Sequence, residues 1–201
     1  MGLFSKKKEE PASSSTPVEQ YMEHLNTIFQ QEPRYFRQDS VTPGIPGVSM
    51  IVYPGIPEQG FITAFTYGLS LVDHPNWKLG RPELCMTVAS ADMNWVHAAG
   101  HMANKLRGKC PFTYGDTINF GNRISDESEM NAFFVFAPSI LRREDYYQLD
   151  IGAPYKISIA GLYPMYADEM EVFENIGLEK FWHHPGFELY SVTRERITGE
   201  S

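Results

Sequence analysis

Cysteine is almost missing from this chain, with two in 201 residues, Cys85 and Cys110. They form no CxxC pair and no spacing that frames a metal or a disulfide scaffold, so a stapled secreted fold is excluded and both thiols are expected to be reduced. Long apolar runs are missing too. The longest, such as Ala132–Phe136, fall far short of the roughly 18 residues a spanning helix needs. No signal-like apolar region opens the chain. The start Met1-Gly2-Leu3-Phe4-Ser5-Lys6 has Lys6 where a myristoylation signal wants Ser or Thr. These absences predict a cytoplasmic protein with no membrane partner.

Basic excess is also lacking: 17 Lys and Arg stand against 25 Asp and Glu, a net charge of −8. Three lysines and three glutamates cancel within Met1–Gln20, so the remainder carries that charge. A polyanion is repelled by such a surface, which excludes nucleic acid as a partner. A basic protein is steered toward it, and solubility is the plainer use of the same charge. No serine stands in a GxSxG elbow, and no glycine-rich loop has the spacing that cradles a phosphate. No cofactor is expected.

What is present is core material: 42% hydrophobic and 13% aromatic residues, enough for one globular domain. Met1–Thr16, a lysine run followed by a Ser-rich stretch, reads as a disordered tail, and residues 17–199 as the domain. Helices are predicted over Val18–Phe29 after Pro17 and from Ser90–Asp92 to Leu106, with Gly108 as C-cap. A last long helix is predicted from Tyr166 toward His183. Strands are predicted over Val48–Tyr53, Gly60–Ser70, Pro82–Ala89, Phe112–Phe120, Ala132–Ala137 and Tyr155–Leu162. This order lacks the regular βαβ alternation and gives an α+β fold, a largely antiparallel or mixed sheet with packed helices.

His97 and His101 stand i and i+4 apart, the spacing at which two imidazoles can meet one metal ion. The apolar face through Val96, Gly100 and Ala103 leaves both histidines toward the polar flank, and HAAGH lacks the glutamate of the zinc-protease pattern. No metal is expected there. Cys110 follows Lys109, a cation that could favour a thiolate, but no orienting partner is marked nearby. Cys85 sits in an apolar strand, where a thiol is inert. The adjacent carboxylates Asp126-Glu127 and Asp168-Glu169 read as solvated surface charge. A hydrolase using His97, His101 or Cys110 is therefore the alternative reading. The preferred constellation is Tyr67, Asp73, His74 and Trp77, where a strand runs out into a polar loop holding a large aromatic. Such residues anchor protein interfaces, and Trp77 could equally fold back to cap the core.

Five blocks occur in order along the chain: Thr66-Tyr67-Gly68-Leu69-Ser70, Arg81-Pro82-Glu83-Leu84, Gly115-Asp116-Thr117-Ile118, Ile124-Ser125-Asp126-Glu127-Ser128-Glu129 and Ala160-Gly161-Leu162-Tyr163-Pro164. Together they make Val18–Thr198 resemble the suppressor of fused family, in particular its small stand-alone bacterial members. The resemblance implies a protein-binding fold without catalytic activity and suggests a peptide-binding strand edge beside the Tyr67–Trp77 segment, where an extended partner segment would pair with an unprotected strand. Animal members sequester zinc-finger transcription factors of the Hedgehog pathway, and bacterial ones neutralise toxins as immunity proteins. It covers one domain, so the two-domain peptide clamp of the animal proteins is not expected here.

Overall fold

The computed structural model describes residues 15–78 and 80–199. The expected tail lies outside them apart from its last two residues, of which Thr16 caps the first helix. Helix α1 spans Pro17–Phe29. The Thr16 hydroxyl accepts the Glu19 amide while the Glu19 carboxylate accepts the Thr16 amide at 2.7 Å, a capping box that fixes the helix start.

The strands are β1 (Arg34–Arg37), β2 (Ser49–Pro54), β3 (Ile62–Tyr67), β4 (Arg81–Val88), β5 (Thr117–Asn119), β6 (Ala132–Phe136) and β7 (Ile157–Met165). They form one mixed sheet in the order β1-β2-β3-β4-β7-β6-β5. β4 and β7 run parallel, and the other neighbouring pairs are antiparallel. A parallel join needs a crossover. Here it consists of helix α2 (Asn94–Leu106), β5, β6 and the single turn α3 (Arg143–Tyr146).

Strand side chains alternate between the two faces and build a layer on each. On one face Met50, Met86, Phe133 and Leu162 pack against Trp95, Val96, Ala99 and Met102 of α2. Gly100 permits this approach, because a Cβ there would lie 2.8 Å from Met50 Sδ. On the other face Ile51, Tyr53, Phe65 and Ile159 lie under Tyr21 and Leu25 of α1. Further along that face Phe134, Tyr163 and Met165 meet Phe181 and Phe187.

Three local expectations change. The long C-terminal helix is two, α4 (Glu169–Ile176) and α5 (Leu178–Trp182). Gly177 at φ +80° turns the chain between them, a conformation that ends a helix. The strand expected over Phe112–Phe120 shortens to β5. β1 is an addition: its four residues are too few for a periodic signal.

Candidate functional site

The site is built around a buried carboxylate. β3 and β4 pair from Ile62–Val88 to Phe65–Cys85, and the ladder register ends there. The Glu83 side chain fills the gap that opens next. It is fully buried, and its oxygens accept the Thr66 hydroxyl at 2.5 Å, the Gly68 amide at 2.8 Å, and the Ser70 amide and hydroxyl at 3.0 and 2.7 Å. Burial pushes this carboxyl above its ordinary range, and the four donors oppose that shift. Arg81 donates to the Ser70 carbonyl at 3.1 Å. Gly68 sits at φ +128°, where a Cβ would meet the Gly47 carbonyl at 2.9 Å. Two of the blocks that carry the family resemblance are thus one unit: Glu83 pins the turn Gly68–Ser70 and aims the chain away from the sheet.

The segment that leaves this turn carries Asp73, His74 and Trp77. The Asp73 carboxylate accepts the His74 amide at 2.9 Å and lies 3.6 Å from Arg81. The His74 and Trp77 rings are 5.6 Å apart. Trp77 is half-buried against the α2-side core, and its indole N–H donates to the Pro111 carbonyl at 2.9 Å. It therefore caps the core and also lines a surface groove of 540 Å³, within the range of ligand sites.

The groove lies where β6 stops short of β7. β7 pairs with β6 over Gly161–Met165 only. Beyond Gly161, the floor is Pro82, Ser158, Ile159 and Ala160, and the walls come from Asn76–Lys78, Pro111–Tyr114 and the α3 region through Arg143, Tyr146 and Tyr147. Tyr114 is among the large exposed hydrophobic side chains, at 44%. Burial against the Tyr146 side pushes its phenol up to about 12, so it stays a hydroxyl donor at neutral pH.

Two expectations are corrected here. Tyr67 does not reach the groove. By strand alternation it points to the α1 face, where its ring lies 5.6 Å from that of Tyr21. Nor does it stand at a free strand edge, because β3 lies inside the sheet with β2 and β4 on its two sides. The groove residues Tyr114, Arg143, Tyr146 and Tyr147 were not anticipated. Only the paired tyrosines after Asp145 hint at them in the sequence.

His97 and His101 are both exposed on α2 and pack edge-on against Phe36 and Phe120. The half-buried Cys110 thiol is pushed up, first by burial and then by Asp116, the opposite of the thiolate stabilisation that Lys109 could have supplied. The Cys85 thiol is pushed up much further by full burial. Among the described residues no three His, Cys, Asp or Glu side chains gather as a metal site. Asp126 and Glu127 are exposed, as expected for solvated charge, and Glu127 also accepts the Trp95 indole N–H at 2.8 Å and the Ser90 hydroxyl, whereas Glu169, expected to be solvated too, is buried and pairs with Arg194 at 2.6 Å. Ser125 donates to Asp92 at 2.5 Å. The Ile124–Glu129 block therefore secures the start of α2.

No family model matches the chain, and no curated protein does. Solved structures do. A SUFU (suppressor of fused protein) homolog from Neisseria gonorrhoeae FA 1090 superposes with a TM-score of 0.70 at 14% identity, over 90% of this chain and 97% of that one. Drosophila Suppressor of Fused gives 0.60 at 14% identity over 87% of this chain and 49% of its own. A chain of the Sufu–Fu complex gives 0.63 at 13% identity over 88% and 89%. At such identities the likeness is one of fold, and across almost its whole length this chain has the suppressor-of-fused-like fold that its five sequence blocks imply.

Proposed function

We propose that this chain is a non-catalytic protein-binding domain that captures a partner at the groove beside Trp77 and holds it stoichiometrically, sequestering or neutralising it. The observation that carries this reading is the groove itself, an aromatic cleft at the end of a broken strand pair in a suppressor-of-fused-like fold. A structure of that fold exists in complex with Fu, which supports protein binding as its use. Asp73 and His74 precede the groove lining on the same segment, and Trp77 supplies the rigid aromatic wall that interface anchors favour. The partner is a cytoplasmic protein, either a toxin met by an immunity protein or the target of a regulator. The net charge of −8 favours one with a basic surface by long-range steering.

The test is to isolate from the native cell the protein that co-purifies with the tagged chain and to titrate the two by calorimetry. One-to-one binding that survives chelation and thiol alkylation, and that weakens about tenfold or more with Trp77→Ala, is expected. Loss of function on chelation or alkylation would favour the hydrolase alternative. Unchanged affinity in a folded Trp77→Ala variant would remove the groove as the site.

A further inference from the structure

Charge is distributed unevenly between this molecule and its groove. The chain has 25 acidic residues against 17 basic ones, yet the groove lining contains Lys78 and Arg143 and no carboxylate. Neither cation is committed. Among the described residues Arg81, Arg142, Lys156, Arg194 and Arg196 each have a carboxylate partner; Lys78 and Arg143, like Arg34, Arg37, Lys105, Lys109 and Lys180 outside the groove, have none. The carboxylates on adjoining segments are engaged elsewhere: Asp73 by Arg81, Glu144 and Asp145 by Arg142, and Asp116 by the Thr113 amide at 2.7 Å. Arg143 lies 4.6 Å over the Tyr147 ring, which orients its guanidinium while leaving its N–H fork free. Beside these charges stand the apolar faces of Trp77, Pro82 and Phe112.

Two unpaired cations set among aromatic rings at a mostly apolar cleft are complementary to one kind of occupant. We propose that the partner segment lodged in this groove is acidic, an extended stretch in which Asp or Glu side chains alternate with large apolar ones. The carboxylates meet Arg143 and Lys78, and the apolar side chains pack on Trp77 and Tyr114. This deepens the protein-binding reading and rests on it. It also separates two ranges of electrostatics. The net charge acts over a Debye length of about 8 Å or more and sets which whole protein approaches, while the groove cations act at contact and set which segment enters. A partner with a basic surface and an acidic insertion segment satisfies both.

Fluorescence anisotropy with the full chain tests it. The probe is a short fluorescein-labelled peptide in which Glu alternates with Leu and Phe, compared with versions carrying Lys or Gln in place of every Glu. The Glu peptide is expected to bind about tenfold or more tighter than either, and to weaken as salt rises from about 20 to about 150 mM. In a Lys78→Glu, Arg143→Glu variant it should lose about tenfold while the Lys peptide gains. Both positions are exposed, so folding is not at stake. Equal binding of the three peptides, a preference for Lys, no binding up to about 1 mM, or indifference to the double reversal overturns the inference. A phosphate-bearing Ser peptide without Glu that outcompetes the Glu peptide also overturns it, in favour of a phosphorylated segment. Thr113→Trp, an exposed wall residue whose enlargement fills the groove, separates this failure from that of the parent reading. If it blocks the co-purified partner while the charge reversals do not, only the acidic assignment fails. If it leaves the partner's affinity unchanged, the groove is not the binding site.

Discussion

Replacing Glu83 with Ala removes four hydrogen bonds at one stroke, and the structure gives the cost. Two of the lost donors are the backbone amides of Gly68 and Ser70, which cannot turn elsewhere. Each buried amide left unpaired costs about 1–3 kcal/mol. The Thr66 and Ser70 hydroxyls can rotate to new acceptors and add little. Removing a carboxylate held fully out of water recovers part of the loss. The expected net destabilisation is about 2–4 kcal/mol for Glu83→Ala, and roughly half that for Glu83→Gln, which keeps one acceptor oxygen. Urea unfolding followed by circular dichroism reads this as a midpoint lowered by about 1 M or more for the alanine variant. The pH dependence has a definite sign. Burial raises the Glu83 carboxyl in the folded state, so its contribution is complete below the ordinary carboxyl range of about 4.3 and declines as pH rises through the folded value. The gap between wild type and Glu83→Gln should therefore be widest near pH 4 and narrow toward neutrality. An alanine variant within about 0.5 kcal/mol of wild type, or a gap that widens with pH, refutes the assignment of Glu83 as the peg of this turn.

Trp77→Phe keeps the aromatic wall but loses the bond to the Pro111 carbonyl, and should cost about 1 kcal/mol of stability in a thermal melt. Trp77→Ala should cost about 2–3 kcal/mol, below the value for a fully buried aromatic because Trp77 is only half-buried. Arg194→Ala leaves the carboxylate of Glu169 buried without its two 2.6 Å partners and should destabilise the domain by about 3–5 kcal/mol, read by urea unfolding. Tyr67 is pushed up to about 12 by burial, against about 10 unfolded, so its contribution to stability is complete below pH 10 and falls as pH rises toward 12. Urea midpoints measured across that window should drop steadily; a flat series contradicts the burial of this phenol. A thiol reagent at pH 8 should modify Cys110 well before Cys85, which is buried in β4.

Most of the framework was legible because periodicity and punctuation are local. Pro17 with an amphipathic run marked α1, the alternating residues after Pro82 marked β4, and Gly108, at φ +71°, marked the end of α2. What was not legible depends on register. Tyr67 and Trp77 are ten residues apart and look like one aromatic cluster, but strand alternation sends Tyr67 to the α1 face while Trp77 turns back over the α2-side core. Glu83 within an apolar strand read only as part of a motif, since the Thr66, Gly68 and Ser70 donors that justify its burial come from another strand's end. The groove draws on four segments spread from Asn76 to Ala160, and no window of sequence brings them together.

The same register argument bears on the catalytic alternative. A hydrolase needs a nucleophile or a metal-bound water facing a base and a site for substrate, all on one surface. His97 and His101 lie on the solvent side of α2, each against a phenyl edge, while the groove is lined by other segments and contains no histidine, cysteine or carboxylate. The nearest thiol, Cys110, precedes the groove-lining Pro111, but its burial disfavours the reactive thiolate. The groove presents instead aromatic faces, phenol hydroxyls and two unspent cations. Such a lining suits the binding role proposed for it, and under that proposal Glu83 acts indirectly, by pinning the turn from which the Trp77 segment leaves.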